Sequence, residues 1–413
     1  VTKREPAGAA PRTFAVVGGA GAMGRITVRD LYETCHPADE IVVADFDRAR
    51  AEALVASLEA LAGRGARPRL RAVGVDVKDR AAAAALRGAF ALVNTAQYHL
   101  NLEVMELALA VGAHYLDLGG LFHVTRQQLL LDERFRAAGK AAILGMGAAP
   151  GITNLLARLG ADRLETVREI HLRVGSIDRT RYRDVPALPV AYSLKTVLEE
   201  FSMEPAVFTK GEWTFAPPMS GARPHRFPPP VGVRRPMYTL HSEVATLPVS
   251  FREKGVREVS FQIAFDPEFL DRVRFLRDLG MASHEELDVG GVKVRPIDVV
   301  NKVAMAQPPA RQVGRLDQHE VLRAVVKGTA AGRKETWVVD CHAPGMPAWG
   351  IGLDVDTGTP PAVAAQMLAA GEITARGVVN PELAVPCEPF FRRLAARRMT
   401  VKASRKAGWS FAV

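Results

Sequence analysis

Residues 16–24 read Val-Val-Gly-Gly-Ala-Gly-Ala-Met-Gly, a glycine fingerprint lodged between an apolar strand and a helical stretch. No other segment restricts the fold as strongly. Residues 14–17 read as the strand, Ile26, Val28 and Leu31 as the following helix, and residues 40–44 as a second strand. That strand ends in Asp45, about 20 residues beyond the last glycine. Strand, turn, helix, strand and acid in this order describe a dinucleotide-binding βαβ unit. In such a unit Gly19 permits the tight turn, Gly21 lets the backbone approach a pyrophosphate, and Gly24 allows close packing of helix on strand. Ala22 and Met23 stand at the helix start, where open amides receive negative charge.

Asp45 bears on the cofactor. Its carboxylate accepts hydrogen bonds from ribose hydroxyls and repels a 2′-phosphate, which favours NAD. Arg48 and Arg50 lie close by in sequence and leave NADP open.

The alternation continues with Leu54, Val55, Leu58 and Leu61 at helical spacing, a strand at 69–75, and strands at 91–94, 114–118 and 141–144 separated by helices. The chain is therefore expected to be α/β, with a doubly wound parallel-sheet (Rossmann) dinucleotide domain. Ligands of such sheets lie outside the carboxyl ends of the strands. Asp76, Val77, Asn94, Thr95 and Ala96 thus join Gly19, Gly21, Ala22, Met23, Gly24 and Asp45 as expected cofactor contacts. Beyond Asn154, alternating segments at 170–174, 256–265 and 321–326, with a hairpin through Ala331-Gly332-Arg333, predict an inserted α+β domain. A proline-rich stretch at 216–236 reads as a long loop or flap. The expected segments are a dinucleotide domain over 1–124, a substrate and dimerisation domain over 125–356, and a C-terminal helix with a basic tail over 357–413.

Composition excludes several classes. A 413-residue chain that is 48% hydrophobic and 24% charged is neither disordered nor fibrous. No run of about 18 apolar residues marks a membrane span, and residues 1–12 are polar, so a cytoplasmic location is expected. Three scattered cysteines indicate neither disulfides nor a metal site. The net charge of +9 is spread along the chain. Its densest run, Arg392 to Lys406, lacks the aromatics of a nucleic-acid surface and reads as a solvated helix face and tail.

Residues 112–120 (Gly-Ala-His-Tyr-Leu-Asp-Leu-Gly-Gly), 147–154 (Gly-Ala-Ala-Pro-Gly-Ile-Thr-Asn) and 359–379, with its Ala-Gln-Met-Leu-Ala-Ala-Gly core, resemble the saccharopine dehydrogenase family. The likeness includes Tyr192-Ser193-Leu194 and residues 247–251 and covers nearly the whole chain. It implies that the substrate domain interrupts the dinucleotide domain and that the segment after Thr359 returns to pack on the latter. It also implies a homodimer or higher homo-oligomer and hydride transfer between a nicotinamide and the carbon of a C–N bond in an amino-acid substrate. Lysine 6-dehydrogenase-like deamination of a side-chain amine is the foremost activity it implies. Residues 240–246, Leu-His-Ser-Glu-Val-Ala-Thr, depart from the glycine-rich segment of lysine dehydrogenases and add a titratable pair.

An amine releases hydride from its carbon only when its nitrogen lone pair is free. Deprotonating an amine of pKa near 10.4 at pH 7 costs roughly 4.6 kcal/mol, so a base or strong desolvation is required. Candidates are Tyr98-His99, Asp117 with His123, and His241 with Glu243. Asp117, His123, His241 and Glu243 form the expected catalytic set, although Asp117 at a strand end would equally serve as a turn cap. Tyr98, Gly151, Asn154 and Arg173 are the expected substrate contacts, Arg173 as a carboxylate clamp alongside Arg179 and Arg181. A saccharopine-type or carboxynorspermidine-type imine reductase and a non-catalytic nucleotide sensor are the competing functions.

Overall fold

The computed structural model describes residues 10–61, 63, 65–189 and 194–407, so Tyr192 and Ser193 lie outside the described residues. Strands β1 (Thr13–Val17), β2 (Glu40–Asp45), β3 (Arg69–Gly74), β4 (Ala91–Asn94), β5 (His114–Asp117) and β6 (Ala141–Ile143) form a parallel sheet in the order β3-β2-β1-β4-β5-β6. Near-continuous apolar runs such as Phe14-Ala-Val-Val17 suit strands covered on both faces. Helix α1 (Gly24–Thr34) and helix α2 (Arg48–Ala60) connect the first three strands. Strand β6 belongs to this sheet although it lies beyond the domain boundary expected at 124.

A seventh parallel strand, Gly377–Val379, adds beside β6. It follows a helix, Pro360–Ala369, whose approach to α1 is fixed at Gly358, where a Cβ would lie 2.5 Å from Cβ of Ile26. Thr27 Oγ1 donates to the Gly358 carbonyl at 2.7 Å. The returning helix is therefore part of the dinucleotide unit. Most of the basic C-terminal run is exposed, as expected, but Arg397 is buried in a bidentate pair with Asp30, and Thr400–Ala407 is a strand.

The second sheet is mixed. Strand β7 (Thr166–Asp178) pairs parallel with 258–263 and antiparallel with the long hairpin of Gln318–Ala330 and Arg333–Ala343. Ala331 and Gly332 both take positive φ in the hairpin's two-residue turn. Ala206–Thr209 and Glu212–Phe215 complete one edge and Thr400–Ala407 the other. Helix α3 (Asn101–Val111) and helix α4 (Leu121–Leu129) lie between strands of the parallel sheet, and helix α5 (Ile152–Ala161) leads from it to the mixed sheet. Helix α5 lies so close to the mixed sheet that a Cβ on Gly160 would sit 2.8 Å from Val326. One apolar core runs from Phe14 and Val43 through Ile152 and Leu156 to Leu172 and Val326, so the sheets are joined by packing.

Candidate active site

The glycine loop is a cradle no side chain would fit. A Cβ on Gly24 would stand 2.2 Å from the Gly18 carbonyl oxygen, and one on Gly19 would stand 2.8 Å from that of Val16. Gly18 has φ +71° and abuts Ala96. Thr95 Oγ1 donates to the Val17 carbonyl at 2.8 Å, tying the end of β4 to the loop. Asp45 accepts from the Ala20 amide at 2.9 Å and the Asp47 amide at 3.0 Å, and Arg50 donates to the Ala20 carbonyl at 2.9 Å. Asp76 caps the turn after β3 by accepting from the Lys78 amide, and half-buried Val77 packs on the core below. Among the described residues no acceptor takes the amides of Ala22 or Met23, as expected where a helix start awaits an anion. These features fit a dinucleotide, and the residues named would hold its pyrophosphate and ribose.

Asn94 and Asp117 belong to one buried network. Asn94 accepts from the Ala96 amide and donates to Asn101. Asp117 Oδ1 accepts from the amides of Gly119 at 2.9 Å and Gly145 at 2.6 Å. Its Oδ2 accepts from Gln128 at 2.6 Å, Tyr115 at 2.9 Å and Asn101 at 3.3 Å. Burial pushes the Asp117 carboxyl up, and these donors oppose that shift. Every direction around the carboxylate is taken by the chain itself. His123, by contrast, is exposed on α4 and stacks on Phe215, with ring centroids 6.0 Å apart. The structure does not bring His123 to Asp117.

His241 and Glu243 are brought together. They lie at the start of helix α7 (Glu243–Ser250), which follows helix α6 (Leu194–Ser202) in the chain and packs against α4 and α5. His241 Nδ1 lies 2.5 Å from Glu243 Oε2, and Thr153 Oγ1 of α5 donates to Glu243 Oε1 at 2.7 Å. The imidazole stacks on Phe261, with centroids 3.8 Å apart. Burial lowers the His241 pKa, but the Glu243 charge and hydrogen bond outweigh it and hold the imidazole above its ordinary value. Among the described residues Nε2 has no hydrogen-bond partner. A base oriented by a carboxylate, with its second nitrogen open, is suited to carrying a proton.

The remaining expected contacts separate into two groups. Tyr98 donates to Glu199 at 3.0 Å. Gly151, with φ +120°, starts α5 against Gly147, and Asn154 accepts from the Gly151 amide while donating to Thr246 and Glu382. Asn154 is therefore occupied in holding α5 to its neighbours. Arg173 is on the wrong face for a substrate clamp at His241. Phe261 pairs with Leu172 towards the core, so the next pair, Gln262 and Arg173, points to the opposite side of the sheet. There Arg173 Nε donates to Gln262 at 3.1 Å, and Gln262 reaches the Gly221 carbonyl under the 216–236 stretch. Arg179 and Arg181 are exposed near the end of β7. Sequence reasoning missed Thr153, Glu199 and Glu200; the first two touch Glu243 and Tyr98 only through the tertiary fold.

Among the described residues no group of three or more His, Cys, Asp or Glu is placed to hold a metal, and no helix is long and apolar enough to cross a membrane. Residues 14–143 match the saccharopine dehydrogenase NADP-binding domain and residues 147–399 the saccharopine dehydrogenase C-terminal domain. Carboxyaminopropylagmatine dehydrogenase of Synechocystis sp. is 25% identical over 319 residues, 74% of this chain and 77% of that protein. Carboxynorspermidine synthase of Vibrio cholerae is 23% identical over 326 residues, 73% and 74% of the two chains. Saccharopine dehydrogenase (L-Glu forming) from Saccharomyces cerevisiae has the same fold, with a TM-score of 0.69 at 16% identity over 96% of this chain and 100% of that one. The chain belongs to the saccharopine dehydrogenase family and is an NAD(P)-dependent oxidoreductase.

Proposed function

We propose that this enzyme transfers hydride between NAD(P) and the carbon of an amine C–N bond, with His241 moving the proton of the amine nitrogen. The observation that carries the reading is the Thr153–Glu243–His241 relay, which ends in an Nε2 without a hydrogen-bond partner among the described residues. When bound, the nicotinamide supplies the hydride acceptor or donor. In oxidation, His241 accepts a proton from the ammonium, which frees the lone pair that becomes the C=N bond; in reduction it returns that proton. Glu243 fixes the tautomer and stabilises the imidazolium. Asp117 acts as a positioning residue, because its five donors anchor the Gly119 turn and the Gly145 loop.

Reductive joining of an amine to a carbonyl compound is the preferred direction, supported by the name synthase of the Vibrio cholerae relative. Lysine 6-dehydrogenase-like deamination is the second reading, favoured by the 112–120 and 147–154 motifs. A homo-oligomer in the cytoplasm is part of the proposal; exposed Phe275, Leu279, Val299 and Val303 provide an apolar surface for association. Absorbance of reduced nicotinamide separates the readings. Amino acids with terminal amines are offered alone with oxidised cofactor, then amines with carbonyl acids and reduced cofactor. Turnover only in the second arrangement supports the imine reductase, turnover in the first supports the deaminase, and silence in both despite tight cofactor binding supports a sensor.

A further inference from the structure

Strand pairing sets Arg173, Arg323, Asp340 and Lys402 in one cross-strand row, on the face of the mixed sheet turned away from Phe261 and His241. His319, Val321, His342 and Thr400 share that face, because each stands an even number of residues from a member of the row. Beyond the row, these strands, Arg398 and the Pro229-Pro230 segment of the 216–236 stretch enclose a cavity of about 260 Å³. No residue of the candidate active site lines it.

The lining is basic. Lys402 stands opposite Asp340, but both Asp340 oxygens are taken by Arg323, at 2.6 and 2.7 Å. Among the described residues neither Lys402 nor Arg398 has an ion-pair partner. His319 lies 3.3 Å from Asp317, and His342 stands between the two rows of cations. Burial, aided by Lys402, Arg323 and His319, lowers the His342 pKa in spite of Asp340. Glu320 also borders the cavity, but its carboxyl is hydrogen-bonded to Asp356 on the other face of the sheet.

Arg398 lines this cavity against local preference. At the end of the helix Cys387–Ala395 the Met399 amide donates to the Leu394 carbonyl at 3.2 Å, and the Arg398 amide to that of Ala395 at 3.0 Å. Met399 and Leu394 are both buried in the main core. This pattern is a Schellman turn, whose left-handed residue is most often glycine. Here that residue is Arg398, exposed and with φ +65°. A side chain at such a backbone carries strain that glycine avoids, and this one places a guanidinium on a cavity already lined by Lys402.

We infer that this cavity binds a phosphate dianion, free or as the end of a small phosphomonoester, through Arg398, Lys402 and the imidazoles of His319 and His342, on the opposite side of the sheet from the catalytic histidine. A phosphate group brings close to two negative charges and several strong acceptor oxygens. Their tetrahedral arrangement suits donors that converge from separate strands and a helix end, where a planar carboxylate would meet only part of them. The occupant lies one residue from Arg397, whose pair with Asp30 ties this segment to α1.

The test titrates inorganic phosphate, glycerol 3-phosphate and malonate, at fixed ionic strength, into the full chain saturated with reduced dinucleotide so that the glycine loop is filled. Calorimetry should show phosphate binding, with malonate at least about tenfold weaker. Glycerol 3-phosphate that binds as well as phosphate identifies a monoester site, and its exclusion identifies a site for the free ion. Lys402→Gln and Arg398→Gly should each weaken phosphate by about tenfold or more. In phosphate-free buffer Arg398→Gly should melt no lower than the wild type, since glycine is what the turn prefers. Absence of phosphate binding to the wild type, malonate binding as tight as phosphate, or an unchanged phosphate affinity in either variant overturns the inference. So does an Arg398→Gly protein that melts lower in phosphate-free buffer, which would make Arg398 a structural residue.

Discussion

Glu243 holds His241 by Nδ1 at 2.5 Å and is itself held by Thr153, so the imidazole is fixed between a buried carboxylate and the face of Phe261, with Nε2 unpartnered among the described residues. The raised pKa that follows has a definite sign in kinetics. In oxidation the base must be neutral, so the acidic limb of kcat/KM should lie above the ordinary histidine pKa. Glu243→Gln removes the charge that raises it and should move that limb to lower pH while cutting kcat/KM about 10- to 100-fold. A pH–rate profile of the two proteins checks both effects. His241→Ala should remove the limb entirely, and Thr153→Val should cost less than either.

Asp117→Asn should act first on stability. Replacing one carboxylate oxygen by an amide sets an N–H group against the donors of Gly119 and Gly145 or of Gln128 and Tyr115. Loss of hydrogen bonds to a buried charged group costs about 3 kcal/mol or more. The expected outcome is a lower urea midpoint, with turnover falling as the fold loosens. Unchanged stability with a 100-fold loss of kcat/KM would instead place Asp117 in the chemistry.

The dinucleotide half was readable because its signals are local. Gly19 to Gly24, the apolar strands and Asp45 obey short-range turn and packing rules, and each is where its spacing puts it. Gly377–Val379 was not legible as a sheet strand, since three residues carry no period and gain their meaning from pairing with β6. The site was only half legible. His241 and Glu243 are two residues apart, but Thr153 meets Glu243 across 90 positions and Tyr98 meets Glu199 across 101. Arg173 misled for the opposite reason: a guanidinium advertises carboxylate binding, yet strand alternation sends it to the far face.

Cofactor choice turns on residues that converge on Ala20. Asp45 takes its amide and Arg50 its carbonyl, which puts an acid and a guanidinium beside the same peptide. Asp45→Ala should weaken NAD more than NADP, since the ribose acceptor goes and the phosphate's repulsion goes with it. Arg50→Ala should lower kcat/KM for NADP about tenfold or more and change that for NAD little. Steady-state kinetics with both cofactors decide it. A wild-type enzyme that prefers NADP would show that Arg50 dominates Asp45.

The joint between the two domains should weaken as pH rises. Glu320 of the mixed sheet faces Asp354 and Asp356, which precede the helix returning to α1. Burial pushes Asp354 up to about 6, against the pull of Arg25. Burial, and then the Glu320 charge, drive Asp356 well above the usual carboxylate range, and its Oδ2 has no partner among the described residues. A carboxyl whose folded pKa exceeds its unfolded value of about 3.9 binds its proton more tightly when folded. Its contribution is therefore complete below pH about 4 and declines as pH rises through about 6 for Asp354, and further for Asp356. Asp356→Asn keeps a neutral group of the same shape at every pH. It should flatten the melting temperature between pH 6 and 8 and raise it at pH 8 by about 2 °C or more. Thermal melts of both proteins across that range check the slope, and parallel curves would mean that the Glu320–Asp356 contact does not titrate there.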